Sequence, residues 1–260
     1  VGETLAETLA GHCGRAVQKG LIGRDTALTL DAIAAVAVEI SALIARGPLA
    51  GALGAAVGRN SDGDVQKELD LRTHRMIAAA LTGAPVAVML SEESEQLEAL
   101  NPAGTLAVAI DPLDGSSNIE TNISMGTIFS ILPGETTGAL GAFAGAGDRQ
   151  LAAGFFLYGP HTALVLTLGD GVHIFTLDPA SGTFLRTRAF VRMLDGSSEY
   201  AVNASNYRHW DMPVRTYIDD CLHGAEGLRG TDFNMRWHGS VVAEAFRIVQ
   251  RGGIFLYPGD

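Results

Sequence analysis

The segment Asp111-Pro112-Leu113-Asp114-Gly115-Ser116-Ser117-Asn118 sets two carboxylates three positions apart and follows them with a turn of small residues. Carboxylate oxygens hold hard divalent cations, and the exposed N–H groups of such a turn hold phosphate oxygens. Both in one loop point to metal-assisted phosphate chemistry. Further carboxylates stand upstream at Asp64, Asp70, Glu92 and Glu93. Unaided phosphate monoester hydrolysis is so slow that it needs large transition-state stabilisation. Divalent ions supply this by clamping phosphate oxygens and acidifying a bound water. Glu92, Asp111 and Asp114 are the candidates to hold such ions, and Glu93 and Asp70 the candidates to polarise the water. Gly115 lets backbone approach a ligand closely, and the N–H groups of Ser116 and Ser117 can point at phosphate oxygens. Each feature alone is weak, because a Glu-Glu pair is most often a solvated face and an Asp-Gly pair a plain turn. Their placement directly after two apolar runs is what raises the odds.

Those runs, 86–90 and 106–110, read as buried strands that lead straight into Ser91-Glu92-Glu93 and into Asp111. In layered α/β folds the ends of adjacent strands form the ligand crevice. A helix over 29–46, with Thr29 as its cap and Gly47-Pro48 as its stop, and another over 65–82 precede them. Residues 49–64 read as a mobile loop that carries Asp64. Strands follow at 127–132, 155–158, 163–168 and 172–177, the last two joined by the hairpin signal Gly169-Asp170-Gly171. A strand at 200–204 and helices at 213–222 and 240–251 complete the pass. Gly252-Gly253 then opens a strand at 254–257 that meets Pro258-Gly259-Asp260 at once, so a longer native chain is expected.

The chain has 260 residues, 47% hydrophobic and 18% charged, enough for a sizeable core in two closely joined lobes. Its net charge of −11 and its two lysines, Lys19 and Lys67, exclude a basic nucleic-acid or anionic-membrane surface. The apolar stretch 28–44 is interrupted by Asp31 and Glu39 and reads as a buried helix rather than a membrane span. Cys13 and Cys221 lack metal spacing and fit reduced thiols. With no signal peptide apparent, a cytoplasmic location is expected.

The octapeptide resembles the signature of the Mg²⁺-dependent sugar phosphatases, and its Leu-Asp-Gly-Ser-Ser-Asn form resembles class I fructose-1,6-bisphosphatases. The likeness extends in order through Gly63-Asp64-Val65-Gln66-Lys67-Glu68-Leu69-Asp70, Ser91-Glu92-Glu93, Gly126-Thr127-Ile128-Phe129 and Ala152-Ala153-Gly154. It continues through Leu157-Tyr158-Gly159, Arg236-Trp237-His238-Gly239-Ser240 and Gly252-Gly253-Ile254-Phe255-Leu256-Tyr257-Pro258. The resemblance implies an α/β fold of alternating α-β-α-β-α layers. It implies an N-terminal layered domain over 1–195 carrying the metal and 1-phosphate site. The start of a C-terminal sugar-phosphate domain, truncated, would cover 196–260.

The implied metal ligands are Glu92, Asp111, Asp114 and the Leu113 carbonyl, holding two or three Mg²⁺ ions, with Mn²⁺ or Zn²⁺ as substitutes. Asp70 and Glu93 would activate water, and Asp64 would join when its loop closes. Asp114, Gly115, Ser116 and Ser117 would meet the 1-phosphate end of the substrate. Asn203, Tyr207, Arg236, Trp237 and Tyr257 would meet the distal 6-phosphate, with Arg236 supplied by a neighbouring subunit.

The implied activity releases the 1-phosphate of fructose 1,6-bisphosphate in a homotetramer, serving gluconeogenesis or the Calvin cycle. Sedoheptulose 1,7-bisphosphate hydrolysis, alone or alongside, is the alternative substrate, and a catalytically impaired regulatory or structural member the alternative role. Trp237 stands where the family usually has Tyr, and the family's substrate lysine and last metal-site glutamate would lie beyond Asp260. Ala27 and Thr105-Leu106 depart from the family's AMP-binding residues, so AMP inhibition by the usual mode is not expected.

Overall fold

The computed structural model describes residues 7–59, 65–134, 141–144 and 147–258. Helix α1 (Leu9–Gln18) starts at Thr8, whose hydroxyl accepts the Gly11 N–H and satisfies one orphan donor of the first turn. Helix α2 (Arg24–Ala45) starts earlier than its apolar spacing suggests. Thr29 is fully buried inside it rather than capping it, and Asp25 sits in the first turn where the helix dipole favours an acid. By length and composition α2 could cross a bilayer. Here Leu30, Ile33, Ala37 and Ile40 are buried in the protein core.

A short helical turn, Gly47–Ala50, leads to a two-stranded ribbon, β1 (Ala56–Arg59) and β2 (Val65–Lys67). Part of the expected 49–64 loop is therefore ordered ribbon, whereas Asp64 lies outside the described residues. That ribbon claims residues 65–67, so α3 (Glu68–Thr82) begins three residues later than the pattern suggests.

The main sheet holds β3 (Val86–Ser91), β4 (Glu98–Ala99), β5 (Leu106–Asp114), β6 (Met125–Pro133), β7 (Ala152–Tyr158), β8 (Thr162–Thr167), β9 (Val172–Asp178) and β10 (Thr183–Val191). Their order across the sheet is β10-β9-β8-β7-β6-β5-β3-β4. Every neighbouring pair is antiparallel except β3 and β5, which run parallel. Alternation along β6 separates the two faces of the sheet. Met125, Phe129 and Ile131 join the large core with α1, α2 and α3. Gly126 faces the other way, toward Val242 of α5 (Val241–Arg251).

A smaller sheet follows, with β11 (Glu199–Ala201) central and β12 (Asn234–Met235) and β13 (Ile254–Phe255) parallel on either side. Glu199 points to Arg247 on α5, and Tyr200 packs with Ile218 and Cys221 of α4 (Met212–Leu222). The layers thus run helix, sheet, helix, sheet, helix, as the resemblance implies. Strands β4, β10 and β12 and helix α1 were absent from the sequence reading.

Gly126 fixes how closely α5 approaches the sheet. A Cβ there would lie 2.1 Å from the Phe156 carbonyl oxygen and 2.5 Å from Val242. We expect Gly126→Ala to cost about 1–3 kcal/mol through overpacking, measured by urea unfolding. An unchanged midpoint would show that α5 is free to shift.

Candidate active site

The parallel pairing of β3 and β5 builds the site's first wall. Ser91 is opposite Ile110 in register, so Glu92 and Asp111 leave the same end of the sheet side by side. The Glu92 N–H donates to the Ile110 carbonyl at 3.2 Å, which carries the pairing one residue further. The carboxyls of Glu92 and Asp111 share a hydrogen bond, and burial together with the charges of Glu92 and Asp114 holds the Asp111 carboxyl well above the usual carboxylate range.

Strand β5 does not stop at Asp111. It continues to Asp114 through an irregularity opposite β6, where Asp111 pairs with Ile128 but Asp114 with Gly126. Two residues, Pro112 and Leu113, thus stand against one, Thr127. Pro112 has no N–H for a ladder, so a bulge suits it. The Thr127 hydroxyl donates to the Pro112 carbonyl at 2.9 Å and lies 2.9 Å from the Tyr158 hydroxyl, which donates to it in turn. Asp111 Oδ1 accepts the Leu113 N–H at 3.0 Å, closing the bulge from the other side.

Gly115 turns the chain with φ 79°, a left-handed conformation that glycine adopts without strain. A Cβ at this position would come within 2.8 Å of Ser240 Cβ. A short helix, Ser116–Thr121, follows, and its first N–H groups, those of Ser116 and Ser117, have no partner within the helix by geometry.

Asp114 meets the start of α5. Its Oδ2 accepts from the Ser240 hydroxyl at 2.6 Å and the Val242 N–H at 3.0 Å, and its Oδ1 from the Val241 N–H at 3.1 Å. This carboxylate, read from sequence as a metal ligand, is therefore also the anion at a helix N-terminus. Among the described residues no three acidic, His or Cys side chains form a ready coordination shell. The expected trio of Glu92, Asp111 and Asp114 is present as a bonded pair with a third member committed to α5.

The donor chemistry nonetheless fits a hard cation. Asp114 keeps lone pairs beyond its three hydrogen bonds, and the carboxylates of Glu92 and Asp114 crowded on Asp111 concentrate negative charge that a divalent ion relieves.

The two water-activating candidates sit nearby. Asp70 is buried in the first turn of α3, where Oδ2 accepts the Lys67 N–H at 2.7 Å. Its Oδ1 is buried without a hydrogen-bond partner among the described residues. Burial first, then the charges of Glu93 and Glu92, outweigh that hydrogen bond and push its pKa up to about 7. The Glu93 carboxylate accepts from the Gln66 amide on β2. The Glu93 N–H donates to the Ser91 hydroxyl at 3.3 Å, and that hydroxyl lies 2.9 Å from His74 Nδ1.

The distal residues divide. Arg236 and Trp237 follow β12, four and three residues before Ser240, so they share a segment with the donors on Asp114. Trp237 stacks on Phe255 at 5.9 Å and Phe255 on Tyr257 at 6.2 Å, a ladder that ends with Tyr257 80% exposed. Arg236 Nε lies 3.8 Å from Glu199. Asn203 and Tyr207 are used internally instead. The Asn203 side chain caps the turn Ala204–His209 through the Ser205 N–H and hydroxyl. The Tyr207 hydroxyl donates to Asp219 on α4 at 3.0 Å. For Tyr207 the loop-anchor role fits this geometry, because its one donor is spent on a carboxylate.

Ser240, Asn118 and Gln66 were not singled out by sequence reasoning. Ser240 carried a legible signal, a serine just before an apolar helical pattern. Asn118 Nδ2 donates to the carbonyls of Ser124 at 3.3 Å and His238 at 3.0 Å, a link that sequence spacing does not reveal.

Comparison with known proteins places this geometry. Residues 14–189 match the fructose-1-6-bisphosphatase N-terminal domain family and residues 193–260 the C-terminal domain family. A class 1 fructose-1,6-bisphosphatase of Nitrobacter hamburgensis is 54% identical over 99% of this chain and 73% of its own length. One from Nitrobacter vulgaris is 59% identical over 88% of this chain and 66% of its own. The chain thus spans about two thirds to three quarters of these relatives. The crystal structure of Leishmania major fructose-1,6-bisphosphatase in holo form superposes with a TM-score of 0.89 at 33% identity, covering 98% of this chain and 79% of that one. With the family matches covering nearly the whole chain and the acidic strand ends and phosphate-sized turn in place, the chain belongs to the fructose-1,6-bisphosphatase family.

Proposed function

We propose that this protein hydrolyses the 1-phosphate of fructose 1,6-bisphosphate to fructose 6-phosphate and phosphate. The observation that carries this reading is the gathering of Glu92, Asp111 and Asp114 beside the Gly115-Ser116-Ser117 turn, with Asp70 and Glu93 adjacent. Glu92, Asp111, Asp114 and the Leu113 carbonyl would hold Mg²⁺, which when bound neutralises phosphate charge and acidifies water. Asp70 is suited to accept the proton of the attacking water, since a pKa near neutrality matches a general base to its task. Gln66 fixes the Glu93 carboxylate beside it. The Ser116 and Ser117 N–H groups orient the 1-phosphate, and Arg236 suits the distal phosphate in a neighbouring subunit's site, as the resemblance implies. A homotetramer in the cytoplasm, working in gluconeogenesis or the Calvin cycle, is part of the same proposal and rests on the family resemblance.

Purified protein should release phosphate from fructose 1,6-bisphosphate only with Mg²⁺, and Asp114→Ala should lower kcat/KM by at least about a hundredfold. Faster turnover of an inositol phosphate or of sedoheptulose 1,7-bisphosphate in a parallel assay would overturn the substrate assignment.

The crowded carboxyls also set a pH dependence. Asp70 titrates near 7 in the fold, above the ordinary 3.8 of an unfolded chain, and Asp111 is raised as well. A carboxyl with a raised folded pKa binds its proton more tightly when folded. Its contribution is full below the unfolded value and is lost as pH rises through the folded one. In a chelating buffer the unfolding midpoint should therefore fall as pH rises through about 7, and Mg²⁺ should restore it. Scanning calorimetry with and without Mg²⁺ checks both, and a midpoint that climbs with pH under chelation contradicts the assignment.

At the start of α2 the Thr105 hydroxyl donates to Asp25 at 2.5 Å, so an acid already occupies this helix end and its hydroxyl partner. A bound phosphate would meet that negative charge. AMP titrated into the phosphatase assay should leave the rate unchanged, and potent inhibition would refute this.

A further inference from the structure

Helix α5 carries Glu244, Arg247 and Arg251, of which Glu244 is deeply buried and Arg247 partly buried. Glu244 is 1% exposed and yet is fully provided with donors. Its Oε2 accepts from Arg247 Nε at 3.1 Å and Nη2 at 3.0 Å. Its Oε1 accepts from the His238 backbone N–H at 2.9 Å and contacts His238 Nδ1 at 2.8 Å. Arg247 Nη1 donates onward to Glu199 on β11 at 2.8 Å, and Arg251 Nη2 lies 2.6 Å from the other oxygen of Glu199. Arg236 reaches the edge of the same cluster, 3.8 Å from Glu199.

A buried ionic cluster of this kind is weak evidence for stability, because well-packed apolar residues often do as well. Its geometry shows something more particular. The His238 residue is held at both ends, its N–H by Glu244 and its carbonyl by Asn118 of the octapeptide. Two residues later Ser240 caps α5, accepting the Ala243 N–H, and donates to Asp114. Two residues earlier lies Arg236.

We propose that Glu244 is a positioning residue: it pegs the 236–240 segment so that Ser240 and the first N–H groups of α5 hold Asp114, while Arg236 keeps its place at the edge of the Glu199 cluster. The role rests on the proposed function for its effect on turnover, but its effect on Asp114 stands without it. Glu244 touches neither the reacting phosphate nor the water.

The double variant Glu244→Leu with Arg247→Met replaces the buried pair by apolar side chains of similar volume, with the fold expected to persist. In the 260-residue chain, amide hydrogen exchange at Val241 and Val242 should quicken by at least about tenfold while Ile248, at the far end of α5, keeps its protection. Phosphate release from fructose 1,6-bisphosphate should fall by at least about tenfold in kcat/KM even with the unfolding midpoint maintained. Native exchange at Val241 and Val242 overturns the proposal, and so does native turnover in an otherwise active protein. If the unaltered protein lacks bisphosphatase activity, the functional assignment fails and the exchange rates alone decide the peg. If the double variant does not fold, Glu244→Met, which removes both acceptor oxygens while keeping a long side chain, is read by the same exchange criterion.

Discussion

Everything at the site turns on one carboxylate set against one helix end. Asp114 accepts from the Ser240 hydroxyl and from the N–H groups of Val241 and Val242, where a helix has unsatisfied donors and a positive dipole end. Such contacts hold the octapeptide on the large sheet against the layer of α5. Through α5 they also reach the small sheet, by way of Glu244, Arg247 and Glu199. Without this junction the octapeptide and the 236–240 segment would belong to separately moving elements. With it, Arg236 and Gly115 are parts of one framework.

The remaining acids show how position decides what an acid does. Glu92 and Asp111 meet because the parallel pairing of β3 and β5 ends in register just before them. Asp70 uses one oxygen to close the first turn of α3, and the other is buried without a hydrogen-bond partner among the described residues, with the charges of Glu93 and Glu92 acting on the carboxyl. Burial raises its proton affinity, and the neighbouring charges add to that. A carboxyl of this kind costs stability when ionised, which is the usual signature of a group retained for chemistry rather than for folding.

Much of the fold was legible because apolar runs and turn residues agree with it. The strands β3, β6, β7, β8 and β9 appear close to where their patterns place them, and Gly169-Asp170-Gly171 joins β8 to β9. Helix α5 follows its capping serine. What was missed had weak local signal. Strand β10 is largely exposed beyond Phe184, so no alternation marks it. Strands β4 and β12 are two residues each and exist only as partners of longer neighbours. The ribbon of β1 and β2 displaced the start of α3 because pairing partners ten or so residues away are invisible to a helical period.

The sequence by itself determined the chemical inventory: the acids, their places after apolar runs, the small-residue turn and the resemblance those motifs carry. Residue type and local periodicity suffice for that, since they depend only on neighbours along the chain. Tertiary structure alone decided how the inventory is spent. It set Asp114 on the α5 N-terminus, gave Tyr207 to Asp219, and hung His238 between Asn118 and Glu244. These partners lie from six to more than a hundred residues apart. A hydrogen bond is fixed by distance and direction in space, and no pattern along the chain encodes either.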